Sequence, residues 1–231
     1  MIKAVFFDLY QTLIGYDPPR EQLQAKVLKD FGIEVALESI RHAIVVADEF
    51  IYQEHARLSL GKRSPEEKMI LYTQYQRILL KEAGVEASEK LVAGVLSKMQ
   101  RFNPKLVLFD DVVPALTQLK ERGLILGLIS NVDRDITPDC DELGLSPLLQ
   151  VVVTSQDTGF NKPQPEIFRE ALKRVGVEAS EAIYVGDQYQ IDVVGARQAG
   201  MEGVLLDRGG DFSKVVDCPR IQSLTGIINY L

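Results

Sequence analysis

Apolar residues run without a break from Ala4 to Phe7 and stop at an acid, Asp8. A continuous apolar run predicts a strand buried on both faces, as in a parallel sheet. Gly15 and the pair Pro18-Pro19 then mark a loop. For about eighty residues after it no convincing strand pattern returns. Leu23, Val27, Leu28 and Phe31 fall at helical spacing, as do Ile40, Ile44, Ala47 and Ile51. Ser64-Pro65-Glu66-Glu67 is a capping box with proline at the first helical position. The helix it opens is read with Met69, Tyr72, Gln76 and Leu79 on one face, and Leu91, Val92, Val95, Leu96 and Met99 form a fourth stripe. Four amphipathic helices on short loops predict a small bundle.

From Phe109 onward strand and helix patterns alternate. Helices are expected over 112–122, 165–175 and 191–199, each followed by glycine (Gly123, Gly176, Gly200). Strands are expected over 124–129, 149–153, 182–185 and 203–206. Such alternation implies a parallel sheet covered on both sides. The predicted fold is therefore α/β: a doubly wound, Rossmann-like parallel-sheet core of residues 1–15 and 105–231, with an all-helical cap, residues 16–104, inserted after the first strand. The hinges are expected around Gly15-Tyr16-Asp17-Pro18 and Asn103-Pro104, with the cap closing over Asp8. No internal repeat or low-complexity tract interrupts this plan.

Composition adds limits. The 231 residues are 46% hydrophobic and 26% charged, ordinary for a globular protein with a sizeable core. The net charge of −7 argues against nucleic acid or an anionic membrane as partner. No apolar run is long enough to span a bilayer, and the chain starts directly into a strand with no signal peptide. Cys140 and Cys218 lack metal-ligand spacing and read as reduced thiols of a cytoplasmic protein.

The strands end in residues suited to chemistry. In open α/β sheets ligands bind outside the carboxyl ends of the strands. Asp8, Ser130-Asn131, the loop leading to Lys162, and Asp187 with Asp192 five residues on all fall there. Together they carry four motifs: Asp8-Leu9-Tyr10-Gln11-Thr12-Leu13; Ser130-Asn131; Lys162-Pro163-Gln164-Pro165-Glu166-Ile167-Phe168; and Gly186-Asp187-Gln188-Tyr189-Gln190-Ile191-Asp192. In this order the set resembles the haloacid dehalogenase superfamily of hydrolases, over the whole chain.

The resemblance implies a core strand order of 3-2-1-4-5, so that Asp8 and Asp187 flank the topological switch point. It implies Asp8 as a nucleophile that forms a covalent aspartyl intermediate, with Lys162 as a neutralising charge. It implies Mg²⁺ held by Asp8, Asp187 and the backbone carbonyl of Tyr10, a ligand count that suits this ion. Asp192 would lie behind the metal, orienting water or Lys162. Thr12, Ser130, Asn131 and Tyr10 are the candidates for contacts to the substrate, a small anionic molecule. Oligomeric state is not encoded in these motifs.

One position departs from the phosphatase pattern. Phosphatases of the superfamily carry an Asp two residues after the nucleophile as general acid and base; here it is Tyr10. The 2-haloacid dehalogenases resemble this chain there, and a halide needs no proton on leaving. Their fourth motif, however, resembles Ser-Ser-Asn and needs no metal, whereas this chain keeps Gly186-Asp187 and Asp192. The balance falls on a Mg²⁺-dependent phosphatase of a small phosphorylated metabolite. A metal-independent dehalogenase, with Arg41 or Arg57 anchoring a carboxylate, is the first alternative, and a catalytically weak binding protein the second. Arg20 and Arg63 read as solvated charges, Tyr75 as bundle packing, and His42 and His55 as surface or cap-core residues.

Overall fold

The computed structural model describes residues 1–231. The chain forms two compact units, Met1–Gly15 with Val107–Leu231, and Tyr16–Leu106. In chain order the elements begin with strands β1 (Ala4–Phe7) and β2 (Ile14–Asp17), helices α1 (Arg20–Lys29), α2 (Leu37–Arg57), α3 (Pro65–Glu82) and α4 (Glu89–Met99), and β3 (Lys105–Leu108). The order continues with α5 (Val112–Glu121), β4 (Ile125–Ser130), α6 (Thr137–Glu142), β5 (Val151–Thr154), α7 (Ser155–Thr158), α8 (Pro165–Val175), β6 (Ala182–Gly186), α9 (Gly195–Gln198), β7 (Glu202–Leu206) and β8 (Arg220–Ile221). Of the two segments read as hinges, Gly15-Tyr16-Asp17 lies in β2, while Asn103-Pro104 stays irregular just before β3; β2 and β3 pair as a two-stranded ribbon.

In the larger unit six strands lie in the order β5-β4-β1-β6-β7-β8, and every neighbouring pair is parallel. The first five reproduce the expected order, and β8 adds a short sixth strand. Alternate side chains point to opposite faces. Phe6, Ile129, Val153 and Tyr184 form one buried layer with Ile167, Phe168 and Ala171 of α8. Val5, Leu126 and Leu128, one residue out of phase, are buried toward the other face. The helix α8 begins with Pro165 and stops at Gly176, whose φ of +67° only glycine adopts without strain.

Register places the chemistry. Phe7 lies opposite Leu128 on β4 and Val185 on β6. The Asp8 amide extends that ladder, donating to the Val185 carbonyl at 2.9 Å. β1 is buried along its whole length, so the carboxylate at its end rests on a rigid element.

The helical unit buries Val27, Leu28, Ile40, Ala43, Ala47, Leu79, Leu80, Val92 and Val95 in one core. The capping box opening α3 is present: Glu67 N donates to Ser64 Oγ at 3.2 Å and Ser64 N to Glu67 Oε2 at 2.7 Å. The face assigned to α3 needs correction. Met69 and Tyr72 are exposed, and the buried positions are Leu71, Gln76, Leu79 and Leu80. Arg20 is not a solvated charge: it forks onto Asp48 with two bonds of 2.7 Å and donates to the Tyr75 hydroxyl at 2.6 Å. Arg63 donates to the Glu54 and Leu58 carbonyls and so caps the end of α2.

Candidate active site

Asp8, Asp187 and Asp192 converge: one carboxylate oxygen from each lies within 4.8 Å of the others. Three acids so close repel one another unless cations intervene. Lys162 is one such cation. Its ammonium donates to Asp8 Oδ1 at 2.6 Å, to Asp192 Oδ1 at 2.7 Å and to the Tyr184 hydroxyl at 2.7 Å. An ammonium has three donors, so all three are used. The side chain is almost wholly buried. Burial works against its charge, but the carboxylates of Asp192 and Asp8 hold its pKa above the ordinary lysine value.

Each partner is locked from behind. Asn131 holds the Lys162 backbone on both sides, accepting from its amide at 2.6 Å and donating to its carbonyl at 2.9 Å. The Asn131 side chain is therefore spent on placing Lys162, while Ser130 ends β4 as a buried residue. Asp192 sits on a π-helical turn, Tyr189–Val194. Its Oδ2 accepts from the Gln188 amide at 2.9 Å. A Cβ on Gly186 would lie 2.3 Å from the Asp192 carboxyl, so the motif requires glycine there. Asp187 accepts from Thr12 Oγ1 at 3.3 Å and from Gln188 Nε2 at 2.8 Å. Thr12 comes round to it on a tight turn in which Gln11 takes a left-handed φ of +61°.

Burial drives the Asp8 pKa from 3.8 up to about 6; Lys162 pulls against this and Asp192 adds to it. Three carboxylates converge and one ammonium pairs with two of them, a charge set suited to a divalent cation. Asp8 and Asp187 supply hard oxygen ligands of the kind Mg²⁺ takes, one or two carboxylates with water completing the shell. The residues therefore fit the ion, with Asp192 committed to Lys162 and to the Gln188 amide.

The chain belongs to the haloacid dehalogenase-like hydrolase family. That family's model matches residues 2–200. The hydrolase is 32% identical over 217 residues to a glyceraldehyde 3-phosphate phosphatase of Methanopyrus kandleri, covering 90% of this chain and 85% of that protein. It is 37% identical over 222 residues to haloacid dehalogenase-like hydrolase domain-containing protein 3 of Danio rerio, covering 94% and 90%. Its fold is shared with a magnesium-bound HAD hydrolase of Bacillus subtilis, at 20% identity and a TM-score of 0.62 over 100% of this chain and 98% of that one.

Two residues that the sequence did not mark join the site of the hydrolase. Tyr184 lies inside an apolar strand, yet its hydroxyl bonds Lys162 and reaches the Ile129 carbonyl at 3.0 Å. Arg134, in the loop after β4, hydrogen-bonds the Tyr10 phenol and pairs with Asp139. Neither carries a local signal, because each meets its partner only through the fold. Arg41 and Arg57, considered as carboxylate anchors, pair with Glu38 and Glu54 one turn away on their own helix, each at 2.6 Å.

Proposed function

We propose that this hydrolase is a Mg²⁺-dependent phosphatase of a small phosphorylated metabolite. The observation that carries this reading is the convergence of Asp8, Asp187 and Asp192, with Lys162 paired to Asp8 and Asp192. The resemblance to a named phosphatase over most of both chains supports it. Asp8 would be the nucleophile, attacking phosphorus through a carboxylate oxygen while the ester oxygen leaves with the bonding electrons. Water then releases phosphate from the aspartyl phosphate and regenerates Asp8. Lys162 holds Asp8 in its ionised form and fixes its rotamer. Asp8, Asp187 and the Tyr10 carbonyl would hold the Mg²⁺, which supplies charge neutralisation for the phosphoryl group. The Asn131 backbone amide and Ser130 are proposed as donors around that group, while the Thr12 hydroxyl is held on Asp187. The helical unit is proposed as the cap that selects the substrate. No helix is long and apolar enough to cross a membrane, and we place the enzyme in the cytoplasm, where its two free cysteines stay reduced.

Tyr10 favours a second reading, a 2-haloacid dehalogenase. Phosphate esters and 2-haloacids, each assayed with Mg²⁺ and with EDTA, separate the two. Phosphate release that requires Mg²⁺ is expected. Halide release in EDTA would replace this reading with the second, and no turnover of either class would leave a binding role.

A further inference from the structure

Thr12 is held from two directions. Its hydroxyl donates to Asp187, and its carbonyl accepts from Arg208 Nη2 at 2.9 Å. Arg208 follows β7, 196 residues along the chain from Thr12. The same guanidinium forks onto Asp111 with two bonds of 2.9 Å. It also lies over the Phe109 ring, 4.2 Å from the centroid. Phe109 in turn donates its amide to the Leu13 carbonyl at 3.1 Å. Its ring fills the space beside Gly15, where a Cβ would meet it at 2.9 Å. Asp111 is anchored by the end of the chain: its Oδ2 accepts from Ser223 Oγ at 2.8 Å and from the Leu224 amide at 2.9 Å. Direct hydrogen bonds thus run from the C-terminal segment through Asp111, Arg208 and Thr12 to Asp187.

The chemistry of each link is selective. The planar guanidinium presents Nη1 and Nη2 side by side, so it meets both oxygens of Asp111 in parallel bonds while Nη2 also reaches the Thr12 carbonyl. Lysine has the charge but not the fork. A residue that merely closed the chain end would need the pair with Asp111 and nothing more. The bond to the Thr12 carbonyl serves the loop that follows the nucleophile.

We propose that Arg208 is a positioning residue for turnover: it fixes the loop of residues 9–13 so that Thr12 stays on Asp187, with Ser223 and Leu224 as the anchor. For what the loop does in turnover this rests on the phosphatase reading; that Arg208 fixes the loop does not.

The test uses the full chain and the variant Arg208→Lys, which keeps a charge for Asp111 but cannot reach Thr12 as well. Amides of Gln11, Leu13 and Ile14 are bonded within the loop, so hydrogen exchange reads its closure. Exchange in peptides covering residues 9–15 is expected to rise about tenfold, the loss of roughly one charged hydrogen bond, with the helices of residues 16–106 unchanged. With p-nitrophenyl phosphate and Mg²⁺, kcat should fall by roughly the same factor while KM stays within about twofold. Thr12→Val should show a similar fall, and the double variant no further one. Ser223→Ala, a milder change, should move both readouts in the same direction. Exchange and kcat like the wild type with a lowered melting temperature would overturn the proposal and leave a chain-end clamp. Losses that multiply in the double variant would also overturn it. If the wild type hydrolyses no phosphate ester, the phosphatase reading falls, and loop exchange alone decides whether Arg208 fixes the loop.

Discussion

The Lys162 ammonium donates to the phenol oxygen of Tyr184 at 2.7 Å. Tyr184 stands on β6, fully buried, with its ring edge-on to Phe168 at 5.1 Å. Its hydroxyl also lies 3.0 Å from the Ile129 carbonyl and 3.2 Å from Asp192 Oδ1. Lys162 is therefore braced against the sheet as well as against the two acids.

Tyr184→Phe keeps the ring and removes the brace. One donor of the ammonium is left without its partner in a dry site, a loss on the order of 1–3 kcal/mol. We expect kcat for a phosphate ester to fall about tenfold or more, with KM little changed, because in the proposed mechanism the lysine acts on the nucleophile. Steady-state kinetics with Mg²⁺ held constant check this. An unchanged kcat would show that Asp8 and Asp192 suffice to hold Lys162.

Gly186→Ala tests the contact between β6 and the π-helical turn. The added methyl meets the Asp192 carboxyl at 2.3 Å, inside any allowed separation. Asp192 must then give up the Gln188 amide, Lys162, or both. Overpacking of this kind costs about 1–3 kcal/mol, and the melting temperature should drop by several degrees. Activity should fall further than the stability loss explains, since Lys162 loses a partner. A variant as stable as the wild type would mean that the turn shifts freely.

Burial places the Asp8 pKa near 6, above the 3.8 of an ordinary Asp. A raised carboxyl pKa means that the metal-free fold binds a proton more tightly than the unfolded chain does. The stabilising effect is full below about pH 3.8 and is lost as pH rises through about 6. Asp111, held below the usual range by Arg208, the Leu224 amide and Ser223 against the opposing effect of burial, titrates outside this window. Melting of the metal-free protein should therefore show a loss of stability between about pH 4 and 6 that Asp8→Asn abolishes. Mg²⁺ competes with the same proton, so its affinity should weaken as pH falls below about 6. Calorimetric titration at pH 5 and pH 7 checks the second half; equal affinities would remove Asp8 from the metal site.

Strands and caps were legible because their causes are local. The unbroken run into Asp8 gave a buried strand, and Ser64 with Glu67 gave the start of a helix. The face of α3 was not legible. Met69, Ile70 and Tyr72 share the helix with Leu71, Leu79 and Leu80, and apolar residues on two sides leave the rotation undetermined until neighbouring helices choose. The π-helical turn at Tyr189–Val194 replaced the regular helix expected from residue 191. Nothing local marks such a turn, which here carries the carboxylate that Lys162 and the Gln188 amide share. Among the site residues, those at strand ends could be named from the chain. Tyr184 could not, since an apolar strand context hides a hydroxyl whose partners lie 22 and 55 residues away.

Tyr10 gives the last prediction. It stands two residues after Asp8, where a phosphatase of this family carries an acid. Its pKa is raised by burial, against the pull of the Arg134 guanidinium. A neutral phenol can donate a hydrogen bond to a leaving oxygen, yet near pH 7 it is a poor base for activating water. The aspartyl phosphate should then form more readily than it breaks down, and turnover of ordinary phosphate esters should be slow. Tyr10→Asp restores a carboxylate beside Arg134, a partner of opposite charge that keeps it ionised. General acid–base help is worth about 10²–10⁴-fold, and part of that gain should appear as faster phosphate release, with the largest effect on esters of poor leaving groups. The backbone carbonyl of residue 10 is untouched by the change, so Mg²⁺ affinity should stay nearly constant and serves as the control. Phosphate release by the two proteins at fixed Mg²⁺ decides the matter. A faster wild type would show that Tyr10, braced by Arg134, shapes the substrate site, and the account of it as a missing acid and base would be wrong.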